Sequence, residues 1–409
     1  MAERVPSNRF DRNVSTRSAL VPQLIAARNA VGLAFILNGL CFASWVSRIP
    51  EARDGFGLSN GGLGVLLLMI AIGSLVALPS TGAAIGRWGT VRVLRAGAVM
   101  AALGLGTAGL ALGDSLVVTG IALLFYGVGI GVWDVAMNVE GAEVERRLGR
   151  TVMPRFHAGF SLGTVVGALA GAGLVALDVP SAPHLVLVVV VSAAVVWRGA
   201  AAFLPVPEVE ESGQTSAARA WLEPRTLLIG VMVLALAMTE GTANDWLAVA
   251  LVDGYDVSHA VGVAGFGLFV AAMTACRFAG THLLDRWGRT AVLWSTMAAA
   301  GLGVLLIVLG GHPALVVAGI VLWGAGASLG FPVGMSAAAD DPARAAARVS
   351  VVSTIGYAAF LAGPPLLGFV GDQVGTLDAL LVVAVLLVPA ALAVPAARKP
   401  TSQSVGSPA

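Results

Sequence analysis

In the stretch ALAMTEGTANDWLAVAL, residues 235–251, Glu240, Asn244 and Asp245 interrupt a run that is otherwise apolar. An ionisable side chain at membrane depth is costly to bury, so it marks a functional candidate by default. Glu240 and Asn244 are four positions apart and share one helix face. Asp245 lies about 7.5 Å beyond Glu240 along the axis, at ~1.5 Å per residue. Gly241 beside them permits close packing or local unwinding. An acid held in an apolar cavity resists ionisation, and so can load and release a proton in the working pH range. Glu240 is therefore the first candidate for a proton-coupling or substrate-binding acid. A structural role stays open, in which an acid staples helices through Arg277. The depth expected for Arg277, within two turns of the cytoplasmic end of its span, suits Asp285 better than Glu240.

A second group lies in GVGIGVWDVAMNVEGAEVERRLGRTVMPRFHAGFSLG, residues 127–163. Asp134 and Asn138 share a face at i, i+4, while Arg155, His157 and Ser161 open the next apolar run. Two helices joined by so short a loop run antiparallel, so these residues meet at similar depth. An Asp–Arg or Asp–His pair is expected there, as a working site or as a clamp on the hairpin. The run EGAEVERRLGR between them alternates charge at helical spacing and reads as a solvated, interfacial helix.

Smaller signals complete the set. Asn38 precedes Trp45 by seven residues, and Tyr357 follows Ser353 by four and precedes Phe360 by three. Rings stack while amides hydrogen-bond, a combination that suits sugar-like or heterocyclic ligands. Ordinary packing is the alternative reading for Trp45 and Trp246. The segment AGPPLLG, residues 362–368, puts a proline kink where a hinge could use it.

The elements that must hold these residues follow from composition. The 409-residue chain is 57% hydrophobic and 11% charged, against about 25% charged in a soluble domain. A hydrocarbon core of about 30 Å needs about 20 apolar residues per helix. Such runs fall near 26–48, 61–84, 91–113, 116–139, 155–177, 184–204, 226–252, 259–283, 290–311, 314–338, 348–371 and 376–396. The chain reads as an all-α integral membrane protein with twelve transmembrane helices, numbered below as spans 1 to 12. Of its 24 basic residues, all but Arg48, Arg53 and Arg277 fall on one side if both termini are cytoplasmic, and that asymmetry fixes the orientation.

Residues 205–225 form the longest polar interruption. They divide the chain into a cytoplasmic tail over 1–25, a six-helix bundle over 26–204, this central loop, a second bundle over 226–396 and a tail over 397–409. The bundles resemble each other at an offset near 199: DGFGLS at 54–59 matches DGYDVS at 253–258, and GRWGTVRVL at 86–94 matches DRWGRTAVL at 285–293. Matches in polar loops do not arise from apolar composition alone. Two pseudo-symmetric six-helix bundles are the architecture they predict.

The motif GTHLLDRWGRT, residues 280–290, with its weaker partner TGAAIGRWGTVR, residues 81–92, resembles the loop between the second and third helices of each half in the major facilitator superfamily. The resemblance covers the whole chain. It implies two bundles that rock about a central site and open alternately to either face. Arg87, Asp285 and Arg286 are then the cytoplasmic gate, with Arg277 nearby; charge-assisted hydrogen bonds would hold it shut. The first copy departs from the pattern, with Gly86 where an acid is expected. The stretches GVWDVAMNVEGAEVERR, RFHAGFSLG and STIGYAAFLAGPPLLG look like the fucose-permease-like branch and its bacterial inner-membrane relatives. That branch implies proton-driven uptake of a small polar solute. Leu123 stands where many members of the superfamily place an arginine, and span 5 lacks the Gly-Pro pair associated with drug antiporters.

Three functions are compatible with these residues: proton-coupled symport of a sugar-like solute, proton-antiport efflux of an amphipathic compound, and a non-transporting membrane sensor. No H-E-x-x-H or G-x-S-x-G motif and no set of metal ligands supports an enzyme. No cofactor or metal is implied, and a net charge of +1 implies no nucleic-acid partner. The expected partners are a small-molecule substrate, protons and the lipid bilayer, with the chain a monomer in the bacterial cytoplasmic membrane.

Overall fold

The computed structural model describes residues 10–149, 152–204, 217–341 and 344–398. Among these residues every regular element is a helix, and twelve helices are long and apolar enough to cross a membrane. Helices satisfy each backbone N–H and C=O internally, which hydrocarbon demands. The twelve spans fall in the order the apolar runs predict. The first helix starts earlier than its run, at Phe10, although its apolar span opens only at Pro22.

The sequence repeat reappears as a repeat of backbone geometry. Ser59 accepts from Gly62 N to cap the helix Asn60–Trp88, and Ser258 accepts from Val261 N to cap the helix His259–Leu309. Each cap follows a left-handed residue, Gly57 at φ 59° and Asp256 at φ 50°. Spans 2 and 3 meet at Gly89, φ 81°, and spans 8 and 9 at Gly288, φ 73°. Only glycine takes such angles without strain, which accounts for its place in both motif copies.

Within the first six spans, span 1 packs on spans 5 and 6, and span 4 on spans 2 and 3. In the last six, span 7 packs on spans 11 and 12. The two sets join where span 2 meets span 11 and where span 5 meets span 8. At the first crossing a Cβ on Gly64 would stand 2.5 Å from the Pro364 carbonyl oxygen, so the backbones touch. Trp45, Trp133, Trp246 and Trp323 fill the interior. Leu103, Val117 and Leu392 stand on the outside, where a bilayer would meet them.

The two sets of spans are held together mainly at one face. Arg53 binds Asp253 bidentately; Asp54 contacts His259 Nε2 at 3.0 Å. Asp372 accepts from the backbone of Asn60 at 2.8 Å and of Gly61 at 2.9 Å. Thr376 joins Asn60 and Asp253 at 3.2 and 2.6 Å. The opposite face, which carries the Gly89 and Gly288 turns, has no such link between halves among the described residues.

One expectation fails in span 4. The run EGAEVERRLGR is not a solvated helix: Glu140 is 0% and Glu143 6% exposed. Each carboxylate has work that draws it inward. Glu140 accepts from Leu204 N at 2.5 Å, where the first bundle ends. Glu143 is gripped by Arg146 and Arg147. Glu145 accepts from Val152 N and Met153 N and so caps span 5.

Candidate functional site

Span 7 is tied to span 10 at the turn that carries Glu240. Thr239 Oγ1 donates to the Ala235 carbonyl at 2.7 Å, and the Thr239 carbonyl accepts from Trp323 Nε1 at 3.2 Å. Glu240 Oε2 accepts from Arg277 Nη2 of span 8 at 2.9 Å. Arg277 Nε in turn donates to the Ser328 carbonyl at 3.1 Å. That carbonyl is available because its helical donor would be residue 332, and Pro332 has no N–H. Span 10 accordingly breaks between Pro313–Ala327 and Gly330–Ala338. Arg277 Nη1 makes only a long contact, 3.5 Å, to Ser161 on span 5 of the other bundle.

A cavity of about 260 Å³ lies over this pair, between the two sets of spans. Glu240, Asn244 and Arg277 line one wall, and Ser161 and Thr164 the facing one. Phe42, Phe160 and Phe360 supply ring surface. The Arg277 and Glu240 side chains are 29% and 22% exposed, so the charges look into the cavity and are not sealed in protein. A larger groove, about 860 Å³, runs over spans 3, 4 and 6 past Leu103, Val118 and Phe125. It is apolar and lies away from the interface between the halves, where the polar groups converge.

A second polar centre faces span 11. Asn138 Nδ2 donates to the Asp134 carbonyl at 2.8 Å and contacts its carboxylate at 3.3 Å. Tyr357 is near enough to feel the Asp134 charge. Its ring stands 6.4 Å from Phe360 and 6.5 Å from Phe331. One aromatic run therefore connects the Asp134 centre to the Glu240 cavity.

The remaining predicted residues sort differently. Asp245 does not line the cavity and makes no hydrogen bond or ion pair among the described residues. Asn38 is buried at 3% exposure, off the cavity wall, with its Nδ2 unpartnered. No ion pair joins Asp134 to Arg155 or His157 among the described residues. His157 packs edge-on against Phe35 at 5.1 Å and lies within range of the Arg277 charge. Arg277 pairs with Glu240 and not with Asp285, which lies about 12 Å further along the helix axis at ~1.5 Å per residue. Its place is the cavity wall, not the gate. Arg87, Asp285 and Arg286 are exposed, and none forms an ion pair among the described residues in this conformation.

At the same face, outside the spans, Glu223 links the start of span 7 to Arg348 and Arg344. The hydrogen bond from Arg348, with help from Thr226 and Arg344, pulls its carboxyl down to about 2. Sequence reasoning missed Glu223, the Ser328 carbonyl and the Thr239–Trp323 link. Only Pro332, four residues after Ser328, carried a signal for one of them.

Twelve helices in two bundles, with a cavity between them that holds an ion pair, define a transporter architecture. The sequence profile of the Major Facilitator Superfamily matches residues 145–347 and 266–408. The chain is 33% identical over 372 residues to the uncharacterized transporter y4wD of Sinorhizobium fredii, covering 88% of this chain and 98% of that one. It is 33% identical over 375 residues to an uncharacterized MFS-type transporter of Yersinia pestis, covering 88% and 93%. The chain belongs to the major facilitator superfamily. Its fold is shared by the nucleoside transporter NupG, at TM-score 0.76, 14% identity and coverage of 91% and 100%. It is shared too by the E. coli fucose:proton symporter FucP, at TM-score 0.64, 15% identity and coverage of 92% and 100%.

Proposed function

We propose that this protein is a secondary active transporter that carries a small polar, sugar-like solute by proton-coupled symport through alternating access. Its membrane is then the bacterial cytoplasmic membrane, with both termini in the cytoplasm, as the basic-residue asymmetry favours. In that orientation the linked face is the outer one, and the conformation described is closed to the outside. The observation that carries the reading is the Arg277–Glu240 pair at 2.9 Å, half-open to a cavity between the two bundles. Such a cavity can pass from one face to the other when the links at Arg53–Asp253 and Asp54–His259 break and contacts form at the other end. Asn244, Ser161 and Thr164 supply hydrogen bonds for a hydroxylated solute, and the three phenylalanines supply ring contacts. Asp134, Asn138 and Tyr357 form a second polar station on the route.

The alternative is efflux of an amphipathic compound by proton antiport, which the phenylalanine lining favours. A cationic ligand gains little there, because Arg277 already occupies Glu240. Thermal stability against pooled metabolites, at acidic and neutral pH, tests the proposal. A pool that stabilises the wild type with a pH dependence absent from Glu240→Gln supports symport. Equal responses of both proteins would make Glu240 structural.

A further inference from the structure

We propose that the solute held in this cavity is a small hydroxylated monocarboxylate, of the sugar-acid class, whose carboxylate replaces Glu240 on Arg277 while Glu240 takes up the co-transported proton. This rests on the symport reading above and narrows its substrate.

With Arg277 and Glu240 paired, the cavity is neutral. A neutral sugar leaves the pair intact and gives Glu240 no reason to bind a proton. A cation that captures Glu240 leaves Arg277 unpaired in a largely apolar chamber. A monocarboxylate bound with one proton returns the site to neutrality: its anion faces Arg277, and Glu240 becomes an uncharged acid. No covalent bond changes; one proton moves onto a Glu240 carboxylate oxygen and leaves it when the pair re-forms.

The hydrogen bonds of Arg277 leave room for a second carboxylate. Arg277 Nε is fixed by the Ser328 carbonyl, so the guanidinium plane is set. Its outer fork is underused: Glu240 offers a single oxygen to Nη2, and Nη1 has only the 3.5 Å contact to Ser161. A planar carboxylate in the cavity can take Nη1 and Nη2 together, and the bidentate arrangement is the stronger one. The displaced Glu240 then has Phe360 and Asn244 as neighbours in the lining, where an unpaired charge is poorly solvated.

The other charged groups around Glu240 do not supply a substitute cation. On span 8 Arg277 is the group paired with Glu240; on span 11 Tyr357 stands behind Phe360 and off the cavity wall, and His157 on span 5 lies within range of Arg277. Span 10 has no charged residue between Pro313 and Ala338. On span 12, Asp378 stands at the linked face, as do Arg53 and Asp253. Asp245 lies further along span 7 itself and has the same sign as Glu240.

The experiment uses three matched probe pools: hexoses, the corresponding hexuronates and the corresponding hexosamines. Melting temperatures are measured in detergent for the wild type, Glu240→Gln and the neutral double variant Arg277→Gln with Glu240→Gln. Proton entry is followed with a lumenal dye in proteoliposomes. The hexuronate pool alone should stabilise the wild type. Its half-saturating concentration should fall several-fold in Glu240→Gln, where the competing carboxylate is gone. The double variant, whose cavity stays neutral, should fold and ignore the hexuronates. Equal stabilisation by hexoses or hexosamines, or by no pool, overturns the proposal. Proton entry driven by hexoses and not by hexuronates overturns the substrate class while symport survives. Hexuronate binding that tightens in Glu240→Gln without any proton entry overturns symport and the proton step, and leaves the carboxylate exchange on Arg277 standing.

Discussion

Arg277 on span 8 and Glu240 on span 7 pair at 2.9 Å, with the guanidinium held from behind by the Ser328 carbonyl at the break in span 10. The pair is partly open to the cavity, so its energy sits between those of exposed and sealed ion pairs. Replacing either partner by glutamine should lower the melting temperature, and replacing both should cost less than the sum. The coupling should be about 1–3 kcal/mol, below the full cost of orphaning one partner of a sealed pair. A double-mutant cycle in detergent measures it.

The break in span 10 should be functional and not merely tolerated. Pro332→Ala restores the N–H that can bond Ser328 O, which favours a continuous helix. Thermal stability should stay level or rise, while transport falls because Arg277 loses its rear support. Parallel melting and uptake measurements separate this from a general loss of folding.

The Arg53–Asp253 link holds the two bundles at the face described as closed. Asp253→Asn removes its charge and weakens the contact to Thr376 as well. A partly exposed bidentate link of about 1 kcal/mol corresponds to a several-fold shift between conformations. Labelling of single cysteines introduced along spans 2 and 11 at that face should accelerate by that factor.

Gly64 tests the same closure by steric means. A side chain there meets the Pro364 carbonyl, and overpacking of such a crossing costs about 1–3 kcal/mol. Gly64→Val should favour the conformation opened at that face, with the same labelling pattern as Asp253→Asn.

Glu223 gives a pH-dependent prediction outside the spans. Arg348 holds its carboxyl down to about 2, below the ordinary 4.5. A depressed carboxyl stabilises the fold above its unfolded value and loses that contribution as pH falls through the folded one. Glu223→Gln should therefore be less stable than the wild type at neutral pH, by about 1 kcal/mol or less after solvent screening. The difference should close as pH drops from 4.5 towards 2, which melting curves across that interval measure.

Much of the fold was legible because the membrane imposes it. Span length and hydropathy follow from bilayer thickness, and the motif glycines Gly89 and Gly288 mark turns that other residues strain to make. Glu240 was legible as a candidate because a carboxylate in an apolar run is conspicuous. Its partner was not, because Arg277 reaches it across two helices and depth along separate spans cannot be read to within one turn. Glu140 and Glu143 were misread as solvated because helical charge alternation does not reveal a neighbouring loop or which side faces protein. Asp245 and Asn38 share the apolar surroundings of Glu240, yet the rotation of each helix turns them away from the cavity.

On the proposed mechanism, a proton is coupled to solute movement through Glu240. The most direct test compares two fluxes in proteoliposomes of wild type and Glu240→Gln, using whichever metabolite pool raises the wild-type melting temperature. Uptake driven by an imposed proton gradient reports coupling, and solute exchange without a gradient reports alternating access alone. Glu240→Gln should retain exchange and lose gradient-driven accumulation. Accumulation in the variant equal to that of the wild type would show that Glu240 does not couple the proton.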